Sequence, residues 1–358
     1  TIPTRNKIKM DNLNFNTSTK KSKILYSALA IFGVVCVVCT VALTSSEAPS
    51  AGLQQFQLEV EEFNHYVKKY NKIYSTVEEY TRRFRVYRDN LAYIRIHNTQ
   101  SKNWVLKANQ FADMSYTEFK NTYLGTKPRG HLPRYTDEAN DAAIPDAVDW
   151  RLLGAVTDVK NQGGCGSCWS FSTTGAIEGA WFLAKNELVS LSEQELVDCS
   201  RSYGNEGCDG GLMDYAFDYV IKNGLTTEAN YPYTGLDGKC NKDKAAAVSA
   251  TISGYKDVTP YNSTALMAAL AIGPVSVAVQ ADQAAFQFYS TGVIDSGCGT
   301  NLDHGVLAVG FNTTTTIPFY IVKNSWGSGW GDGGYIRIGI KEGEGVCGIQ
   351  MMPSYPIV

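Results

Sequence analysis

The hydrophobic pattern changes character several times along the chain. Ile24 to Leu43 is a 20-residue apolar run without a charge, long enough to cross a bilayer as a helix. Between Leu53 and Asn98 apolar residues recur at three- and four-residue steps, first Phe56, Val60, Phe63, Val67 and Tyr70, then Phe84, Tyr87, Leu91 and Ile94. That period predicts two amphipathic helices. Lys127 to Ala143 loses the period and carries Pro128, Gly130 and Pro133, as an exposed linker does. Helical patterning returns in Cys168–Lys185 and Ser192–Asp198, where Ser192 and Glu195 have capping-box spacing, and Gly207 to Val220 opens another helix. After about Ser253 come short valine-rich runs at 273–279, 305–311 and 319–323 that predict strands. A helical half followed by a β half predicts an α+β fold with a cleft between the halves. No internal repeat is evident, and Thr313 to Thr316 is the one low-complexity tract.

Candidate chemistry concentrates in the second half. Gln162-Gly-Gly-Cys-Gly-Ser-Cys168-Trp169 sets a thiol at the mouth of a predicted helix, whose unpaired N–H groups and positive end favour thiolate over thiol. A thiolate attacks carbonyl carbon. The chain has four histidines, His65, His97, His131 and His304, and only His304 lies downstream of Cys168, at a separation of 136 residues. An imidazole partner from that half must therefore be His304, brought to the thiol by the fold. Twenty residues on, Asn324 offers a carboxamide oxygen to orient the ring, and Trp326 can shield that bond from water. The Gln162 amide and the Cys168 N–H can together meet an oxyanion, each donor worth about 3 kcal/mol in comparable hydrolases.

The run Cys165-Gly-Ser-Cys168-Trp169 matches the signature of papain-like and cathepsin proteases, and Asn324-Ser-Trp-Gly-Ser-Gly-Trp-Gly-Asp-Gly-Gly-Tyr335 matches that family's second motif. From Ile144 onward the chain resembles a cathepsin L-like cysteine protease. The resemblance implies a papain-like peptidase domain, residues 144–358, with a helical domain and a β-barrel-like domain. It implies Cys168, His304, Asn324 and Gln162 as catalytic residues. It implies Gly210, Gly211, Met213, Ala278, Leu302, Asp303, Gly305, Trp326 and Met352 as substrate-binding ones. All the residues expected around the second side chain before the cut, Met213, Ala278, Leu302, Gly305 and Met352, are uncharged, so Leu, Val or Phe is expected there over Arg. Met352 stands where several relatives carry a small residue, which makes the expected pocket shallower. Among six cysteines, sequence alone leaves 15 pairings; the resemblance chooses Cys165–Cys208, Cys199–Cys240 and Cys298–Cys347.

Upstream, Glu79-x3-Arg83-x3-Tyr87-x2-Asn90-x3-Ile94-x3-Asn98 resembles the Glu-Arg-Phe-Asn-Ile-Asn motif of cathepsin L-type propeptides, with Tyr87 for Phe. Asn109-x-Phe111-x-Asp113 resembles the second propeptide motif, but Lys107 stands where glycine is expected. The implied organisation is a basic tail (1–23), a signal anchor or signal peptide (24–43), an inhibitory prodomain (47–126), an activation linker (127–143) and the peptidase, with the mature start near Ala142 to Ile144. The prodomain is expected to lie backwards through the cleft. No second histidine-bearing loop is present in the catalytic part, which favours an endopeptidase. The alternative is a non-catalytic papain-fold storage or binding protein.

Charge and cysteine content add the setting. Residues 1–143 carry 20 Lys+Arg against 13 Asp+Glu, or +7, and residues 144–358 carry 12 against 22, or −10, which gives the overall −3. The halves attract each other, and the acidic half is a poor partner for nucleic acid. Release of the prodomain is expected in acid, as carboxylates protonate. Lys20, Lys21 and Lys23 before the apolar run put the chain on the secretory route, with the membrane as an early partner. The destination is a lysosome-like or vacuolar compartment or the exterior. Partners expected are protein and peptide substrates, the chain's own prodomain and cystatin-like inhibitors, and the mature enzyme is expected to be a monomer. Asn262 and Asn312 begin glycan acceptor triplets. A zinc reading of Cys165-x-x-Cys168 lacks a second ligand cluster, so no metal or cofactor is implied.

Overall fold

The computed structural model describes residues 51–100, 102–127 and 144–358. The apolar run Ile24–Leu43, the basic tail and all of the linker after Lys127 fall outside the described residues. The chain divides into two compact units, one ending at Arg88 and the other running Asp89–Val358.

The first unit contains helix α1, Ala51–Lys69, and the start of helix α2, Val77–Thr99. The apolar period brings one ring, Phe63, to the centre. Its side chain is fully buried and meets Tyr66, Tyr74, Tyr80, Phe84 and Tyr87 at centroid distances of 5.1 to 6.0 Å. Tyr87, in place of phenylalanine, packs its ring against Phe63 and Tyr66. Polar pairs fix the two helices in register: Arg88 Nε lies 2.7 Å from Glu59 Oε2, and Tyr80 O–H donates to Asn64 Oδ1 at 2.8 Å.

In the second unit, asparagines late in α2 serve as backbone anchors. Asn90 Nδ2 donates to the carbonyls of Ala112 and Met114, and the Asn98 side chain bonds both the N–H and the carbonyl of Leu106. The following strand β1, Trp104–Leu106, joins a nine-stranded sheet at its edge. The other strands are β2 Ala147–Asp149, β3 Gly254–Asp257, β4 Val275–Val279, β5 Tyr289–Ile294, β6 His304–Asn312, β7 Phe319–Lys323, β8 Tyr335–Gly339 and β9 Ser354–Ile357. Their order is β1-β5-β8-β7-β6-β4-β9-β3, with β2 also on β6. Lys107 continues from β1 with its N–H on the Phe288 carbonyl and is not among the positive-φ residues, so no glycine is required.

The further α-helices of this unit among the described residues are α3 Tyr116–Tyr123, α4 Cys168–Lys185, α5 Glu193–Cys199, α6 Met213–Asn223, α7 Lys242–Ala245, α8 Ser263–Ile272 and α9 Ala284–Gln287. Helix α4 approaches the sheet closely because it presents glycines: a Cβ at Gly175 would meet Leu307 Cδ2 at 2.7 Å and one at Gly179 would meet Pro274 Cγ at 2.6 Å. Trp169, Ile177, Phe217, Val220, Leu307 and Val309 share the resulting core.

Two local readings need correction. Ser192 Oγ does accept the Glu195 N–H, but the Glu195 carboxylate takes Tyr219 O–H and Thr226 N–H, both at 2.8 Å, instead of closing a box. Tertiary donors outcompeted the local one. The predicted helix from Gly207 is a short 3-10 turn, Gly207–Asp209, followed by α6. Cys165–Cys208, Cys199–Cys240 and Cys298–Cys347 are bonded, leaving Cys168 as the free cysteine among the described residues. Among the described residues no helix is long and apolar enough to cross a membrane.

Phe63→Ala removes the ring shared by five others, and is expected to destabilise the first unit by about 3 to 5 kcal/mol. Denaturant unfolding of the whole chain, followed by tyrosine fluorescence, reads it as an early transition; an unchanged curve contradicts the assigned core.

Candidate active site

Cys168 is the first residue of α4 and His304 the first of β6, so the fold sets the thiol and the imidazole on different layers of one unit. The ring is held on three sides. His304 Nε2–H donates to Asn324 Oδ1 at 2.8 Å, Trp326 stacks on the imidazole at 4.6 Å between centroids, and Phe286 stands edge-on at 6.3 Å. Asn324 Oδ1 also accepts the Ser325 N–H at 2.8 Å. That arrangement makes Nε2 the protonated nitrogen of the neutral ring and leaves Nδ1 with the lone pair.

From the end of α3 at Tyr123, residues 124–127 pass through the site as non-helical main chain, extended at Leu124. Gly211 N–H donates to the Gly125 carbonyl at 2.8 Å, Lys127 N–H to the Gly211 carbonyl at 3.2 Å, and Thr126 N–H to the Asp303 carbonyl at 3.0 Å. Thr126 pairs with Gly211 in the parallel sense. A methyl group on Gly125 would overlap the Gly166 carbonyl, and one on Gly210, at φ 116°, would overlap the Gly125 carbonyl. Only glycine on both sides permits this approach. Lys127 and Glu206 form an ion pair at one end, and Lys120 lies 2.8 Å from Asp282 at the other. The chain just before it docks by aromatic rings: Phe111 and Phe119 each meet Trp326 edge-on at 5.3 Å, while Gln110 Nε2 donates to the Trp326 carbonyl at 2.9 Å.

The Gln162 amide is occupied. Its Nε2 donates to the carbonyls of Tyr123 at 3.0 Å and Cys165 at 2.8 Å, while its Oε1 accepts Ser325 O–H at 2.7 Å, which fixes N over O toward the cleft. Ser325 was not singled out in the sequence, and its adjacency to Asn324 was the available signal. Tyr233 is another residue the sequence did not mark: its hydroxyl donates to the Gln162 carbonyl at 2.8 Å and lies 2.6 Å from Ser167 Oγ, bracing the loop before Cys168.

The remaining sequence-predicted residues divide. A Cβ on Gly305 would lie 3.1 Å from Thr126 Oγ1 and 3.2 Å from Met213 Sδ, and Ala278 is paired with Gly305 across β4 and β6. Those residues gather beside the segment. Leu302 stands next to Gly348 and Met351. Met352 is half-buried.

Electrostatics differ from the thiolate expectation. Burial pushes the Cys168 thiol above its ordinary value, and hydrogen bonds from Thr126 and the Gly305 N–H offset only part of this. Burial also pulls His304 down to about 4, against the opposing effects of Asn324 and Asp303. The sulfur has Thr126 Oγ1 at 3.5 Å and the Gly305 N–H at 3.4 Å, and Nδ1 has no hydrogen-bond partner, so thiol and imidazole are not bonded to each other. Both groups are neutral near pH 6 because segment 123–127 and the core exclude the water that would solvate the charges. Asp303 is raised to about 7, mainly by burial, with the nearby Asp282 adding to it. Among the described residues no cluster of three or more His, Cys, Asp or Glu is placed to hold a metal ion.

Comparison with known proteins agrees with this geometry. Residues 144–357 match the family described as papain family cysteine protease, and residues 63–119 match the cathepsin propeptide inhibitor domain. The chain is 50% identical over 286 residues to probable cysteine protease RD21B of Arabidopsis thaliana, covering 78% of this chain and 61% of that one. It is 48% identical over 305 residues to KDEL-tailed cysteine endopeptidase CEP2 of the same plant, covering 81% and 84%. The chain thus spans only 61% and 63% of RD21B and of cysteine proteinase RD21A. Among solved structures, the proform of the ragweed pollen allergen Amb a 11 superposes with a TM-score of 0.79 at 41% identity, covering 87% of this chain and 98% of that one. Recombinant stem bromelain precursor superposes at 0.78 with 36% identity, covering 84% and 99%.

Gly125→Ala is expected to unseat segment 123–127 and expose the sulfur. Iodoacetamide should then alkylate Cys168 of the full-length chain at least about tenfold faster at neutral pH than in the wild type, as thiolate becomes accessible. Equal rates contradict the close approach of Gly125 as the seal.

Proposed function

The chain belongs to the papain family of cysteine proteases, and on that premise we propose that it is a cathepsin L-like cysteine endopeptidase made as a self-inhibited zymogen. One observation carries the reading: a peptide main chain already occupies the site, with the Tyr123 carbonyl on the Gln162 amide and Gly125 to Lys127 paired to Gly211. A cleft that binds extended backbone beside a buried thiol and an oriented imidazole is suited to cutting polypeptides. The parallel sense of the pairing is a reason the chain's own segment survives, because by family resemblance a substrate runs the other way. A non-catalytic role is disfavoured because thiol, imidazole, carboxamide and amide donor are all present.

With the segment gone, water reaches the cleft and a proton moves from sulfur to Nδ1. The Cys168 thiolate attacks the scissile carbonyl carbon, and the oxygen takes up the negative charge against Gln162 Nε2–H and the Cys168 N–H. The imidazolium gives its Nδ1 proton to the departing amine as the C–N bond breaks, leaving a thioester. Water, deprotonated by Nδ1, then attacks the thioester carbon, the C–S bond breaks and the carboxyl product leaves. Asn324 holds the ring through both proton transfers. The active pair exists between two apparent pKa values, so the rate profile is bell-shaped with limits on the order of pH 4 and pH 8. We assign hydrophobic selectivity for the second residue before the cut to Met213, Ala278, Leu302, Gly305 and Met352, and processing in an acidic compartment of the secretory route.

Acid release works differently from simple loss of carboxylate charge. Although burial raises it, Asp282 is held well below the usual carboxylate range by hydrogen bonds from Lys120, Tyr116, Gln280 and Gln283, so the Lys120–Asp282 contact survives mild acid. Uncovering the Cys168–His304 pair does not of itself take a proton from solvent: covered it is thiol and imidazole, open it is thiolate and imidazolium, one proton in each, so the pair adds no pH dependence between its two apparent limits. Asp303, raised to about 7 in the closed form, works against release over the range between its ordinary value and 7.

The test compares the wild-type zymogen with Cys168→Ser and Gln162→Ala after acid incubation with a mild reductant, on fluorogenic peptides with Leu or Arg second before the cut. Wild type should process itself and prefer Leu, Cys168→Ser should do neither, and Gln162→Ala should lose about 100- to 1000-fold in kcat. Equal turnover by wild type and Cys168→Ser overturns the assignment. In the same assay Lys120→Met should raise the rate of processing without moving its pH midpoint; a shifted midpoint would place the trigger in that ion pair.

A further inference from the structure

A small cavity of about 20 Å³, enough for one water molecule, is lined by residues of α4, α5, β6 and β7, including Glu193, Lys323, Asn324 and Ser325. Two of these lining residues each carry a buried polar atom with no hydrogen-bond partner in the protein: Glu193 Oε2, an acceptor, and Asn324 Nδ2, a donor. Every other polar atom of the two side chains is engaged. Glu193 Oε1 takes Lys160 Nζ and Thr174 O–H, each at 2.6 Å, and Asn324 Oδ1 takes the His304 Nε2–H and the Ser325 N–H, each at 2.8 Å. An unpaired buried carboxylate oxygen and an unpaired buried amide are each unfavourable, and here they are of opposite sense and border the same space.

We propose that this cavity is a site for one ordered water that accepts a hydrogen bond from Asn324 Nδ2 and donates one to Glu193 Oε2, making Glu193 a positioning residue for the carboxamide that orients His304. The polarity of the relay is what matters. An asparagine amide is nearly symmetric in shape, and turned over it would set NH2 against the imidazole N–H. The carboxylate takes one hydrogen of the water, and a lone pair of the same water accepts Asn324 Nδ2–H, while the Ser325 N–H on Oδ1 favours the same orientation. The Glu193 charge thereby adds to the preference for Oδ1 at the imidazole. Burial pushes Glu193 up to about 7, with Lys160 lowering and Glu178 raising it, and Lys323 and Tyr233 are its other charged or titratable neighbours. On protonation the Glu193 hydroxyl can donate to the water, and this added preference is lost.

This proposal rests on Asn324 as the orienting group of a working protease, a reading tested separately by comparing wild type with Cys168→Ser. The first experiment is a high-resolution crystal structure of the full-length zymogen. Density for a water within hydrogen-bonding distance of both Glu193 Oε2 and Asn324 Nδ2 supports the site; a dry cavity, or a water bonded to neither, overturns it. The second uses processed enzyme carrying Glu193→Gln, with Glu178→Gln as the control that removes one charge from the same Lys160 cluster. Glu193→Gln should lower kcat about tenfold at unchanged KM, the scale of one misdirected hydrogen bond, and should remove a step in rate near pH 7 from the pH profile. An unchanged kcat and profile, or the same change in Glu178→Gln, overturns the positioning role. Should Glu193→Gln not fold, the density in the wild-type cavity decides alone.

Discussion

The pairing of Gly211 with the main chain at Gly125 and Lys127 is the constraint on which the closed state depends, because it holds a strand of backbone directly over the sulfur. Only glycine at 125 and 210 lets the chains approach that closely. Once there, the segment removes water from Cys168 and His304, and burial then disfavours both charges at once. A neutral thiol beside a neutral imidazole is a weak nucleophile. Inhibition therefore has two components with one cause: the cleft is filled, and the pair beneath is discharged.

The docking surface is built from the same residues that serve the chemistry. Trp326 covers the His304–Asn324 hydrogen bond on one side and receives Phe111 and Phe119 on another. Gln162 directs its amide to the Tyr123 carbonyl, where an oxyanion would otherwise draw it. Because β1 also extends the sheet at β5, the segment is secured far from the sulfur as well as over it. Loss of any single ion pair leaves most of this intact.

Much of the site was legible in the sequence, and the rest fails for identifiable reasons. His304 stood out because it is the only histidine in its half of the chain, and Cys168 and Asn324 because the motifs around them locate them. The two prosegment helices followed from periodicity, with Phe63 at their centre. Thr126, Ser325, Tyr233 and Glu193 were not visible, since each is a common residue whose partner lies far away in sequence. Glu195 was misread for a related reason: its local spacing to Ser192 is right, but Tyr219 and Thr226 supply better donors from other elements. The charge state of the thiol could not be inferred from the helix mouth alone, because what covers it comes from 42 residues upstream.

The account turns on the imidazole being neutral while the segment is seated and charged once it leaves. Nitrogen-15 NMR of His304, in protein whose other three histidines are replaced, measures this directly as a function of pH before and after processing. The expected result is an imidazole protonated on Nε2 alone from pH 5 to pH 8 in the zymogen, near its covered value of about 4, and an imidazolium over much of that range in the processed enzyme. An imidazolium already present in the zymogen at pH 6 would contradict it.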